Sequence, residues 1–247
     1  MFKGEELLPR ASVPGLVKTQ NNCGYMALKL DRFSKAFVDS VNASSVVLEI
    51  GAAYGYATIE ALEKGATVYA NDLGESHIEI LKKRATIYAN RLKTFACPVQ
   101  ELDFNPSTFN AILACRVFHF LTGEEIEMMF KKMFGWLRSG GYLYLVLDTP
   151  YFGVWGRNFS LEYEQRVALR QPWPSVMSPF EKYLPATADR SVAPSFLNPF
   201  DLWQGVELCK MAGFVVESES YIDRKGDFPP EFCFDGRESA GVIARKP

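Results

Sequence analysis

No C-x-x-C pair occurs anywhere in this chain, and its five cysteines (Cys23, Cys97, Cys115, Cys209 and Cys233) are scattered and odd in number. Structural zinc and a disulfide framework are therefore not expected, and no metal is assigned. Long apolar runs are missing too. No segment approaches the roughly 20 residues that span a bilayer. The opening Met1-Phe-Lys-Gly-Glu-Glu6 is charged where a secretory leader would be apolar, so a cytoplasmic protein without membrane association is the expectation. An excess of one charge is also lacking. The net charge is −2, and the densest basic cluster, Lys82-Lys83-Arg84, is interspersed with acids on a helical stretch, so no nucleic-acid partner is expected. Only two histidines are present, His77 and His119, which leaves few candidates for a general base near neutral pH.

What the chain does contain is ordinary for a folded enzyme: 48% hydrophobic and 23% charged residues in 247, enough for one α/β domain with an insertion. The informative stretch is Val46-Val-Leu-Glu-Ile-Gly-Ala-Ala-Tyr-Gly-Tyr-Ala-Thr58. Aliphatics run through Glu49 into a Gly51-x-x-x-Gly55 loop that opens a helix, and Ala66-Thr-Val-Tyr-Ala-Asn-Asp-Leu73 repeats the buried strand, ending on Asp72. Strand, glycine loop, helix and acid-tipped strand form a nucleoside-binding βαβ unit. Glycine at 51 and 55 permits positive φ and a close backbone approach to a ligand. Asp72 at its strand end is placed to accept two hydrogen bonds from a ribose. A dinucleotide is disfavoured, because G-x-G-x-x-G is absent and Glu49 would repel a pyrophosphate. A carboxylate there suits the cationic amino-acid end of a ligand.

In these motifs the sequence resembles the class I S-adenosylmethionine-dependent methyltransferases, whose first motif is an acidic residue followed by G-x-G-x-G. Ala53 stands here at the middle glycine. The resemblance runs over about residues 45–148 and implies S-adenosylmethionine as cofactor. It assigns Glu49, Gly51, Ala52, Ala53 and Gly55 to the methionine end, Asp72 to the ribose, Leu73 to one adenine face, and Gln100 or Glu101 to the adenine amino edge. Ala114, Cys115 and Arg116 fall where the family's fourth strand faces the methyl donor, and Tyr25 is placed to cover the cofactor. Arg116 is either a contact for an acidic substrate or a salt-bridged residue, and Cys115 is a packing residue. His119 and Asp148, at the ends of the fourth and fifth strands of the motif, are the candidate bases.

The implied fold is a doubly wound, mostly parallel seven-stranded sheet with an antiparallel edge hairpin and an inserted lid. Residues 1–44 form a lead with a helix over 25–41, residues 45–149 the cofactor core, 150–199 the insertion, and 200–247 the final helix and hairpin. Further helices are expected over 75–91 and from Thr122 to Arg138, where Ser139-Gly140-Gly141 stops the chain. A short strand is expected at Phe95–Val99, and the last helix is expected to start at Asn198-Pro199. The insertion holds half of the chain's 14 prolines among many aromatics. It is either a substrate lid or a satellite core. The expected reaction is methyl transfer to an O or N atom of a small-molecule acceptor. A protein methyltransferase and a non-catalytic S-adenosylmethionine-binding scaffold are the alternatives. A nicotinamide-dependent reductase is weakened by the missing dinucleotide fingerprint.

Overall fold

The computed structural model describes residues 7–9, 15–21, 24–186 and 194–247; Cys23 and residues 187–193 of the insertion lie outside them. The lead forms an antiparallel hairpin, β1 (Leu16–Lys18) and β2 (Tyr25–Ala27). A helix was expected from Tyr25 onward, but α1 spans only Arg32–Ser40. The reason is local: Asp31 accepts from the backbone N–H of Phe33 at 2.9 Å and of Ser34 at 3.1 Å, fixing an N-cap that the preceding residues cannot cross.

The core alternates strand and helix: β3 (Val46–Ile50), α2 (Tyr56–Glu63), β4 (Thr67–Asp72), α3 (Glu75–Arg84), β5 (Leu92–Ala96), β6 (Phe109–Cys115), α4 (Gly123–Trp136) and β7 (Leu137–Asp148). After α5 (Gly153–Ala168) and α6 (Leu202–Ala212), β8 (Val215–Ile222) and β9 (Ser239–Arg245) complete a seven-stranded sheet of order β5-β4-β3-β6-β7-β9-β8. Only β9 runs against its neighbours. The order reverses outward from β3, and β3 and β6 part at their carboxyl ends, which is where such sheets bind ligands. The expected doubly wound sheet with an antiparallel edge hairpin is therefore present.

Element bounds depart from the sequence reading where tertiary pairing overrides local signals. α3 ends at Arg84 and a 3₁₀ segment, Thr86–Arg91, takes over, so β5 starts three residues earlier than expected. Ser139-Gly140-Gly141 is not a helix stop but lies inside β7, where Gly140 takes φ 74° and its N–H bonds the Lys246 carbonyl at 2.8 Å. α6 is capped by Asp201 with a reciprocal Gln204 contact, not by Asn198. Asn198 turns inward instead, its backbone N–H meeting the His119 carbonyl at 2.7 Å.

Helices cover both faces of the sheet. Phe130, Met133 and Trp136 of α4 and Val206 and Cys209 of α6 pack with Leu48, Ile112 and Leu145 on one face. Phe37, Ile59, Leu62 and Leu81 from α1, α2 and α3 pack with Val47, Val68 and Leu113 on the other. α1 sits close to β9 only because residue 241 is glycine: a Cβ there would stand 2.0 Å from the Phe33 ring. The insertion carries its own core, in which Trp155, Phe159 and Tyr163 of α5 meet Met177, Phe180 and Tyr183. The satellite-core reading of its aromatics is the one the packing matches.

Candidate active site

The glycine loop after β3 makes three left-handed turns in five residues: Gly51 at φ 73°, Ala53 at φ 46° and Gly55 at φ 78°. Gly55 serves packing, since a Cβ there would lie 2.1 Å from Leu81 of α3. Ala53 pays for its conformation with a bond: its N–H donates to Asp72 Oδ2 at 2.8 Å, tying the loop to the tip of β4. The other Asp72 oxygen accepts from the Gly74 N–H and from His77 Nδ1, both at 2.8 Å. A carboxylate offers about four lone-pair positions. One remains on Oδ2, so Asp72 offers a ligand a single acceptor where the sequence suggested two.

His77 is wholly buried. Its Nε2 accepts the Gln20 backbone N–H at 2.9 Å, which leaves Nδ1 as the donor to Asp72 and fixes a neutral tautomer. Beside it, the Tyr54 hydroxyl donates to the Lys18 carbonyl at 2.9 Å. Two side chains from the nucleoside-binding elements thus hold the β1–β2 hairpin over the carboxyl ends of β3 and β4.

Beneath the hairpin lies a cavity of about 370 Å³. At one end its wall includes Glu49, Gly51, Ala52, Ala53, Asp72 and Leu73, with Tyr25 above and Gln100 at the side. Glu49 is 5% exposed and receives the Thr58 hydroxyl, and no cationic side chain among the described residues pairs with it. Burial raises its carboxyl to about 7 against the lowering effect of Thr58. Gln100 donates its amide to Glu125 at 2.9 Å, whereas Glu101 is exposed and off the wall. Gly55 and Ala114 are likewise behind the wall, although Cys115 and Arg116 reach it. Burial pushes the Cys115 thiol up to about 12, consistent with packing rather than nucleophilic work.

The far end is walled by Met26, Phe120, Phe228, Arg116, Arg224 and Asp31. The two expected bases are not among the lining residues. Asp148 is 3% exposed and accepts from Arg116 Nε at 2.7 Å; although burial raises its carboxyl, the Arg116 charge holds it below the usual range. His119 lies behind the wall, 8% exposed, with Nδ1 3.8 Å from Asp148 and no hydrogen-bond partner among the described residues. Burial lowers its pKa to about 4, so the ring is neutral at physiological pH. No described residue of the insertion lines the cavity either. Sequence reasoning assigns no site role to Met26, Asp31, Arg224 or Phe228; Arg224 and Phe228 arrive from the loop after β8, which no local signal ties to the core.

A sheet of this order, with a glycine loop after β3 and an acid at the tip of β4, is the class I methyltransferase fold. Residues 47–141 match the family model for a methyltransferase domain. That match runs from β3 into β7, so this part of the chain is a methyltransferase domain. No curated protein sequence matches the chain. Among solved structures, a methyltransferase of Methanosarcina mazei is 16% identical, with a TM-score of 0.63 over 88% of this chain and 98% of that one. The 1,6-didemethyltoxoflavin N1-methyltransferase of Burkholderia thailandensis, crystallised with 1,6-didemethyltoxoflavin and S-adenosylhomocysteine, is 19% identical, with a TM-score of 0.59 over 87% and 76%. The geranyl diphosphate C-methyltransferase of Streptomyces coelicolor A3(2) is 12% identical, with a TM-score of 0.60 over 87% and 76%. At these identities the likeness is one of fold.

Proposed function

We propose that this enzyme methylates an O or N atom of a small-molecule acceptor held under the β1–β2 hairpin. The observation that carries the reading is the cavity itself: about 370 Å³, roofed by the hairpin and continuous from Glu49 to Phe228. The hairpin closes over the site from above, which suits a small acceptor better than a protein surface.

The cofactor fits the residues present, because Glu49 is a buried carboxylate that lacks a cation and the ligand's ammonium would provide one. Glu49 and the Gly51–Ala53 backbone would hold the amino-acid end, Oδ2 of Asp72 one ribose hydroxyl, and Leu73 and Gln100 the adenine. Bound there, S-adenosylmethionine supplies a methyl group on a sulfonium, already electrophilic. The protein's share is alignment and exclusion of water. Tyr25 and Met26 close the cavity from above, and Phe120 and Phe228 give the acceptor an apolar bed. His119 and Asp148 lie one layer back from the acceptor, so an acceptor that arrives already nucleophilic suits this geometry better than one that must be deprotonated by either.

Calorimetric titration with S-adenosylmethionine and S-adenosylhomocysteine, beside NAD and NADP, tests the first half. Micromolar affinity for the adenosyl ligands alone is expected. Equal or tighter binding of NAD would overturn it. For the second half, label transfer from methyl-labelled S-adenosylmethionine is followed across hydroxylated and aminated small molecules and a protein extract. Transfer into the small molecules is expected; transfer confined to protein would overturn the small-acceptor reading.

A further inference from the structure

Two arginines stand at the acceptor end of the cavity, and both are anchored in the same manner. Arg116 Nε donates to Asp148 Oδ1 at 2.7 Å. Arg224 Nε donates to Ser239 Oγ at 2.9 Å, and that hydroxyl lies 3.4 Å from the same Asp148 oxygen. Each guanidinium is thus held by its Nε edge from one buried carboxylate. The two centres also share a ring, lying 5.0 Å and 4.7 Å from the centroid of Phe228, with Phe152 5.6 Å from Arg116. Both arginines line the cavity.

Neither arrangement is free of strain or deficit. Arg116 takes φ 54°, a conformation that a non-glycine residue holds only when its surroundings impose it. Arg224 is 2% exposed, yet its Nη2 has no hydrogen-bond partner among the described residues, and the nearest carboxylate oxygen, Asp31 Oδ2, is 3.6 Å away. Asp31 is an ion-pair partner of Arg224 at that distance, not a hydrogen-bond acceptor. Asp31 caps α1 through Phe33 and Ser34. Glu238 accepts three backbone N–H groups, from Phe234, Gly236 and Arg224. A buried guanidinium edge without an acceptor is unfavourable until an oxygen meets it.

We propose that Arg116 and Arg224 form a carboxylate-binding subsite, so that the acceptor is a small molecule bearing a carboxylate beside its methylatable atom. The inference rests on the small-acceptor reading above. A monoanion fits better than a phosphate, because Asp148 pairs with Arg116 and Asp31 lies 3.6 Å from Arg224, and these acids would repel a second negative charge. Asp148 then acts as a positioning residue that orients both guanidinium groups, which accounts for its place behind the wall.

The test uses the full chain saturated with S-adenosylhomocysteine and benzoate as the probe, followed by calorimetry and by the arginine Nε–Hε signals. Benzoate is expected to bind at least tenfold more tightly than benzamide and to shift two arginine Nε–Hε signals, those lost in Arg116→Lys and Arg224→Lys. In Arg224→Gln the benzoate preference is expected to fall to within twofold, while S-adenosylhomocysteine affinity stays within twofold of the unmodified protein. Equal binding of benzoate and benzamide would overturn the subsite, and so would tighter binding of phenyl phosphate than of benzoate. Both comparisons need only the unmodified protein, so a variant that fails to fold leaves the test intact. Failure of S-adenosylhomocysteine to bind in the first place would instead sink the methyltransferase site on which the proposal stands.

Discussion

At the scale of single residues, Glu49 sets stability against binding. Its carboxyl titrates near 7 in the folded chain against 4.5 for an ordinary glutamate. The folded state therefore holds a proton that the unfolded state has released between those values. Stability of the ligand-free protein is expected to fall as pH rises from about 4.5 to about 7, by on the order of 3 kcal/mol. Cofactor affinity runs the other way, because the ammonium needs the ionised carboxylate: S-adenosylhomocysteine should bind about tenfold more tightly at pH 8 than at pH 6, one decade of affinity per decade of ionisation. Glu49→Gln removes both effects together. Calorimetry should show affinity lowered by about tenfold or more and flat with pH, while chemical denaturation at pH 8 shows a ligand-free protein about 1–3 kcal/mol more stable. A variant that keeps the pH slope would place the titrating group elsewhere. Ala53 offers a second residue-scale test. A left-handed alanine costs about 1–2 kcal/mol relative to glycine, and glycine's extra unfolded-state entropy gives back about half of that. Ala53→Gly is expected to raise unfolding free energy by about 0.5–1 kcal/mol in denaturant titration.

Among elements, the β1–β2 hairpin depends on the site as much as the site depends on it. His77 joins the Asp72 carboxylate to the Gln20 backbone, so one imidazole both orients that carboxylate and fastens the roof. His77→Ala is expected to weaken S-adenosylhomocysteine binding about tenfold, in keeping with the loss of a hydrogen bond to a charged group. The same change should expose the hairpin to trypsin at Lys18 and Lys29, and Asp72→Ala should leave Gln20 bonded and the hairpin protected. Equal proteolysis in both variants would mean that the roof is held by other contacts. This division also explains what was legible in the sequence. β3, β4, the glycine loop and the acids at 49 and 72 are written in local periodicity and spacing, so they were readable. The hairpin is not: Tyr25–Ala27 reads as the start of a helical stripe, and only pairing with Leu16–Lys18 makes it a strand. Ala114 and Glu101 were placed by counting along strands, and a shift in where β5 ends turned Glu101 to solvent while Gln100 stayed on the wall.

For the whole molecule, the division is between a sheet that binds and an insertion that packs. The aromatics of residues 150–186 were readable as apolar mass, but composition alone does not say whether such mass faces a ligand or itself. α5 answers that: Phe159 is fully buried against Tyr163 and Tyr183, and the tyrosine hydroxyls end on Asp201 and Glu162 rather than in the cavity. The insertion still bears on the site indirectly. Phe152 at its base lies under Arg116, and Asn198 at its end bonds the His119 carbonyl, so it braces the acceptor end from outside. Phe159→Ala therefore separates stability from binding. Removing that ring is expected to cost about 3–5 kcal/mol. In a chain of this size that is on the order of 10 °C in melting temperature, read by calorimetric scanning. Calorimetric titration well below the transition should then give an S-adenosylhomocysteine affinity within twofold of the unmodified protein, because no cofactor contact lies on α5. A loss of cofactor affinity as large as that of His77→Ala would show instead that the insertion's core and the nucleoside-binding loops fold as one cooperative unit, with the sheet unable to hold Glu49 and Asp72 in place alone.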